Sequence, residues 1–491
     1  MYLLLWVCII ALSIHTPTIA QSNETTTDPP DNYIYGQGVE LNHLVPDSEI
    51  EEPISLLLQG TLKKTQEFPI TLETVLALVD DQNLYIAQSR MNRKMQKNRF
   101  YRSMANFLPD FEGSYTHSRF QGGIQVFGNE VITIYQTRIT PQMTASTTVH
   151  PGGRRILEAL AAKRRSASGK QLLKGTRQEQ LSRAAEEFYQ LLEARIQVEN
   201  LSTTVQEARA QVALNDARRE AGVGTKLDLM QSKTYQAQQE RALIDAENTF
   251  AQAEQALLDR LNLDTTVHLL PEDENTNTPI TLVSESITSD DLVHWATDNH
   301  PDIRSVALEA KALKSDFIAR ATDVIPAVDL QVYESFPGSS YENLTLTRFA
   351  GLVVRTQIGE NLGLGWPLDL RHAFLAFKQK QFERDAMTRT VERQVTSAFL
   401  NSQAYLKAID SAHTELESAQ ESSRLAEGRY KVGLGIYLDV LTANSSLSNA
   451  RTKLAAAILG YNRAQVQLLE AVGATSPETI LTGFNLKQQK R

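Results

Sequence analysis

The chain has 491 residues, 42% hydrophobic and 22% charged, with a net charge of -9 at neutral pH, nine histidines and one cysteine. The acidic balance argues against nucleic acid as a partner, and the lone Cys8 excludes intrachain disulfides and cysteine-rich zinc clusters. The histidines are scattered with no His-Glu-x-x-His pattern, and Ser168-Gly169-Lys170 lacks the upstream glycine of a phosphate loop, so no cofactor is expected and no enzymatic chemistry surfaces.

Residues 1–20 read as a secretory signal. Leu3 to Ile14 form a short apolar core, and Thr18-Ile19-Ala20 offers small residues at the cleavage positions, although no Lys or Arg precedes the core. Cys8 lies inside that core without a lipobox, so no acyl anchor is expected. Residues 21–69 are polar and irregular, with an acidic patch from Asp47 to Glu52, and read as a flexible leader. Beyond them no apolar run approaches the roughly 18 residues a membrane helix needs. Any passage through a membrane must therefore use strands.

A first repeat, 70–286, opens with Thr71 as N-cap of an amphipathic helix through Ala105, ended by Leu108-Pro109. The period then drops to two. Phe111, Gly113 and Tyr115 alternate with Glu112, Ser114 and Thr116, and Ile139, Met143, Ala145 and Val149 alternate with Thr140, Gln142, Thr144, Ser146, Thr148 and His150. One apolar and one polar face at this period is the signature of a membrane-barrel strand. Strands are predicted at 111–120 and 139–150, with a loop near Gly122 to Gly128. From Arg155 to Arg219 a long helix follows, in which Ala184, Leu191, Val198, Val205 and Val212 recur at a seven-residue interval, flanked by Leu201 and Ala208. That period implies a left-handed supercoil, and the length, on the order of 100 Å at 1.5 Å per residue, suits a tunnel wall or spacer. Lys163-Arg164-Arg165 on this helix reads as a solvated face near a membrane boundary.

The helix ends at Gly222 and Gly224, with Asp228 opening the next one. Glycine tolerates the positive φ that ends a helix, and an acid suits the new N-terminus. A second repeat, 287–475, restates this order: Ile287-Thr288, the Ile325-Pro326 junction, strands at 327–335 and 352–366 with a loop from Gly338 to Phe349, and a long helix to Arg429. Its turn, Tyr430 to Asp439, superimposes Gly433 on Gly222, Gly435 on Gly224 and Asp439 on Asp228. Trp366 would sit in an interfacial belt. The chain thus reads as an internal duplication with a C-terminal tail, 476–491. The Gly-x-Gly turns lack the third glycine of a dinucleotide loop and follow a helix instead of a strand.

The expected fold class is mainly α with a small β part: long antiparallel coiled-coil helices plus four membrane strands per chain. Four strands cannot close a barrel, and lipid does not tolerate an open strand edge. Two chains would give eight strands and three would give twelve, of which only the larger leaves an open lumen.

In these features the chain resembles the TolC family of outer-membrane efflux and secretion channels, from about Ile70 to Gly473. The resemblance rests on the paired glycine turns, the Pro109 and Pro326 junctions, and the Pro151 to Arg155 and Trp366 to Arg371 stretches where strand returns to helix. It implies a homotrimer with one twelve-stranded barrel in outer-membrane lipid and a periplasmic α-helical barrel reaching an adaptor protein and an inner-membrane pump. The function implied is the exit duct of a tripartite efflux pump or type I secretion system. Asp439 would belong to the acidic ring of the closed aperture. Tyr430 and Asp228 would hold it shut, the Tyr430 hydroxyl bonding Asp228. Ala221, Gly222 and Val223, with Val432, Gly433 and Leu434, would be the tips that adaptors grip. Thr442 stands where some members carry a second acidic ring, and Gly435 where some carry an arginine. Two blander readings stay open: Asp228 as a helix cap only, and the whole chain as a periplasmic coiled-coil spacer or tether.

Overall fold

The computed structural model describes residues 67–126, 130–150, 153–272, 278–284, 286–355 and 365–484. Thr71 caps the first helix as expected, its hydroxyl accepting from the Thr74 amide while Thr74 reaches back to the Thr71 amide. The helix predicted through Ala105 is two helices, α1 (Leu72–Gln82) and α2 (Leu84–Ala105). Asn83 breaks it: its backbone is extended, and its Oδ1 accepts from the Tyr85 amide at 2.9 Å and the Ile86 amide at 3.2 Å. A short amide side chain competes with the helix for backbone donors in this way.

Strands β2 (Asp110–Val126) and β3 (Glu130–His150) follow, then α3 (Arg154–Glu220) and α4 (Lys226–Leu261). After β4 (His268–Pro271) the order is α5 (Ser289–Asn299), α6 (Pro301–Ala321), β5 (Ala327–Ser335), β6 (Thr347–Arg355), α7 (Gly365–Lys431) and α8 (Tyr437–Val472). The long helices α3 and α7 have 67 residues each, and their partners α4 and α8 have 36 each. At about 1.5 Å per residue the longer pair spans roughly 100 Å. Among the described residues no helix is long and apolar enough to cross a membrane.

The heptad row on α3 is where the packing lies: Ala184, Leu191 and Val205 are buried, Val198 and Val212 partly so. The main core sits midway along the long helices. Leu181 and Phe188 of α3 meet Leu257 and Leu261 of α4, Val391 and Val395 of α7, and Leu459 and Leu469 of α8. Small elements close it. β1 (Glu67–Ile70) pairs in parallel with β4, a contact with no local signature. The segment expected as a tail contributes α9 (Pro477–Thr482), capped by Ser476, with Ile480 and Phe484 buried in the same core and the Phe484 ring edge-on to Trp295.

Four strands form one antiparallel sheet in the order β2-β3-β5-β6. Its register aligns the alternation of all four. Phe111 faces Ala145, Ala145 faces Val332 and Val332 faces Ala350, while Leu330 faces Leu352 and Val328 faces Val354. Paired residues share a face, so one side is largely apolar, interrupted by the Glu334–Arg348 ion pair and by His117, Arg119 and Thr147, and the other carries Ser114, Thr116, Thr140, Gln142, Thr144, Ser146 and Gln331.

Three expectations need correction. Described β6 ends at Arg355, the 356–364 part of the expected strand lies outside the described residues, and Trp366 belongs to the first turn of α7. Its indole N–H donates to the Arg320 carbonyl at 2.8 Å, and Pro367 fits a first turn, where backbone amides lack intrahelical partners. Around Gly122 to Gly128, pairing runs on to Val126 opposite Glu130, so Gly122 to Val126 belong to a strand and not to a loop, and 127–129 lie outside the described residues. Arg164 and Arg165 are not a solvated face. Arg164 donates to the Lys311 carbonyl at 2.6 Å, and Arg165 pairs with Asp316 and Glu309 of α6.

Candidate functional site: the tips of the helical hairpins

Both hairpins turn by the same backbone device. Gly222 has φ +76 and Gly433 φ +77, with no other atoms within 4 Å of where a Cβ would stand. In the first turn the Gly222 amide donates to the Arg219 carbonyl at 3.0 Å and the Val223 amide to the Arg218 carbonyl at 3.0 Å. In the second, Gly433 donates to Tyr430 at 3.1 Å and Leu434 to Arg429 at 2.8 Å. This is the Schellman pattern, which satisfies the last carbonyls of a helix. The second glycines act through space: a Cβ on Gly224 would lie 2.9 Å from the Arg219 amide nitrogen, whereas one on Gly435 would meet the Arg429 side chain at 3.3 Å.

The two restarts differ. Thr225 caps α4, its hydroxyl accepting from the Asp228 amide at 3.0 Å, while Ile436 opens α8 with no side-chain cap. Asp228 and Asp439 both stand in the first turn of their helices, where the dipole favours a carboxylate. Asp439 is exposed and Asp228 partly so. Ala221, Gly222, Val223, Val432, Gly433 and Leu434 are all exposed; Val223, Val432 and Leu434 are joined by Leu227, Ile436 and Leu438 in an apolar tip surface.

Behind this surface lies a small aromatic core of Tyr430, Tyr437 and Val440. The Tyr430 hydroxyl does not bond Asp228. It donates to Asn215 Oδ1 at 2.9 Å, and Asn215 Nδ2 donates to the Asp228 backbone carbonyl at 3.4 Å. Asn215 is 1% exposed and stands on α3, so this bond ties the second hairpin to the first. The Arg218 guanidinium lies over the Tyr430 ring at 4.7 Å, and the Tyr430 and Tyr437 rings are 5.7 Å apart. Burial raises the Tyr430 hydroxyl pKa, helped by the Asp228 charge against the opposing Arg218. Tyr437 is pushed up to about 12, first by burial, then by Tyr235, Tyr430 and Asp228. Both phenols therefore stay neutral at physiological pH.

Sequence reasoning missed Asn215, Arg218 and Tyr437. Asn215 had left a trace: it stands seven residues after Ala208 and fourteen after Leu201, a polar residue in an apolar heptad row. Such a residue at a seam position fixes register and partner.

The outer membrane efflux protein family matches residues 78–262 and 292–474, about three quarters of the chain. "Outer membrane protein TolC" of Escherichia coli is 25% identical over 270 residues, 49% of this chain and 54% of that protein. The match thus spans about half the length of that relative. Among solved structures, the Campylobacter jejuni CmeC outer membrane channel superimposes with a TM-score of 0.72 at 16% identity, over 85% of this chain and 88% of that one. The outer membrane protein VceC of Vibrio cholerae gives a TM-score of 0.72 at 16% identity, over 82% and 96%.

Proposed function

Because the chain belongs to the outer membrane efflux protein family, we propose that three copies form one outer-membrane channel, the passive exit duct of a tripartite efflux pump or type I secretion system. The observation that carries this reading is the sheet. Its edges, β2 and β6, have no strand partner among the described residues, and its register collects mostly apolar residues on one face and mostly polar residues on the other. Lipid outside and water inside explains both faces, and closure with two further sheets removes both edges. Twelve strands give an open lumen, and the helices below continue it as a tunnel.

The equal lengths of α3 and α7 and of α4 and α8, with the constant offset between the glycine turns, support an internal duplication. The tips form the far end of the tunnel. Their exposed Val223, Val432 and Leu434 are the surface on which a periplasmic adaptor docks, and Asp439 lines the aperture with Tyr430, Asn215 and Asp228 behind it.

Outer-membrane fractions of expressing cells should yield a heat-modifiable trimer that gives discrete conductance steps in planar bilayers. A detergent-free soluble monomer without conductance would instead establish the spacer reading.

A further inference from the structure

The sheet register places four residues in one row on the polar face: Glu112 on β2, Thr144 on β3, Tyr333 on β5 and Phe349 on β6. Two of them are aromatic, on a face that otherwise carries mainly Ser, Thr, Gln and acidic side chains, with Phe120 and Val353 as its other large apolar ones. Tyr333 and Phe349 stack with ring centroids 5.0 Å apart and planes 19° apart. Phe349 is 40% exposed, so the pair is not an internal core. The backbone makes room for it: a Cβ on Gly351 would lie 2.6 Å from Phe349 Cζ, so the ring lies where only glycine leaves space. Phe120 lies over Gly122 in the same way, with 3.1 Å to a Cβ there.

The charge on this face is one-sided near the row. Asp110 and Glu112 are exposed and have no ion-pair partner among the described residues, whereas Asp329 is held by Arg355 and by the Thr148 hydroxyl. Glu112 stands two strands from Tyr333, about 10 Å at the usual spacing. That is slightly more than the Debye length of about 8 Å at physiological salt, so a cation on the aromatic pair feels the carboxylate through partial screening.

We propose that the Tyr333–Phe349 platform, with Glu112 and Asp110 beside it, is a binding subsite for planar organic cations in transit. This rests on the channel reading, which makes the polar face a lumen wall repeated three times. A flat cation gains ring stacking and cation–π attraction from Phe349 and Tyr333, and its charge is balanced by Glu112. A neutral ring gains only the stacking and a compact inorganic cation only the electrostatic part, so neither gains both.

The test uses the full-length trimer in planar bilayers, with ethidium as the planar cation and tetraethylammonium as a cation without rings, added from the outer side. Ethidium block should weaken roughly tenfold in Phe349→Leu and several-fold in Glu112→Gln, with Phe349→Tyr close to the parent. Tetraethylammonium, which gains cation–π attraction but no stacking, should lose clearly less block than ethidium in Phe349→Leu, and potassium conductance should not respond. Glu112 is exposed, so Glu112→Gln keeps the fold and remains informative where Phe349→Leu does not assemble. A conducting channel whose ethidium block is unchanged in both variants overturns this inference and leaves the channel reading standing. The absence of any conductance in the parent overturns both.

Discussion

The Tyr430 hydroxyl donates to Asn215 Oδ1 at 2.9 Å, joining the end of α7 to the side of α3 about two turns above the hairpin tip. Asn215 also reaches the Asp228 carbonyl, so one buried amide connects both hairpins. The bond is neutral, worth about 1 kcal/mol, where a phenol bonded to a carboxylate would have been worth about 1.5 to 3. Tyr430→Phe and Asn215→Ala should each raise single-channel conductance by loosening the closed tip, and the double variant should add little to either. Asp228→Asn, which keeps that bond, should change conductance less. Additive effects of Tyr430→Phe and Asn215→Ala would show that the bond does not hold the tip.

Asp439 is exposed in the first turn of α8, so three copies near a threefold axis would focus field on the narrowest point. Conductance should be cation-selective and blocked by multivalent cations from the periplasmic side. Asp439→Asn should reduce both while the trimer persists on gels. Selectivity and block equal to the parent would remove Asp439 from the aperture.

Topology can be read by thiol labelling, since the only native cysteine is Cys8. Tyr341, 68% exposed, lies between β5 and β6, and Val432, 69% exposed, lies at a hairpin tip. On intact cells an impermeant maleimide should react with Tyr341→Cys and spare Val432→Cys, and after lysis it should react with both. Equal exposure makes accessibility the only variable, so equal labelling before lysis would rule out the arrangement.

Stability should depend on pH through a buried polar region where α3 meets α8. Burial is the largest cause raising the carboxyl pKa of Glu470 and of Glu186, and burial lowers His300. A raised carboxyl stabilises the fold below its ordinary value near 4.5, and that contribution is lost as pH rises through the raised value. A lowered histidine acts oppositely, stabilising above its ordinary 6.5 and losing this as pH falls through the lowered value. Glu470→Gln should therefore raise the melting temperature by a few degrees at pH 8 and leave it nearly unchanged at pH 4. An equal shift at both would show that Glu470 is not charged at a penalty in the fold.

Local chemistry was legible in the sequence alone. Heptad spacing on α3, the alternation of the strands, Thr71 as a cap and the glycine turns are all written within a few residues of themselves, because helix and strand periods and the need for positive φ are properties of short stretches. Asp228 and Asp439 at helix starts, and the helix-to-helix turns at Gly222 and Gly433, followed from the same signals. What the tertiary structure decided is which side chains meet across elements. That Tyr430 finds Asn215 and not the Asp228 carboxylate depends on the rotation of one hairpin about its neighbour, and that Arg165 finds Asp316 depends on where α6 lies along α3. The parallel β1–β4 pair and the return of Phe484 to Leu282 and Trp295 join residues far apart in the chain, and no local period encodes such a contact. The alignment of four alternating strands into one apolar and one polar face was likewise set by register, since a slip of one residue in any strand would have reversed its faces.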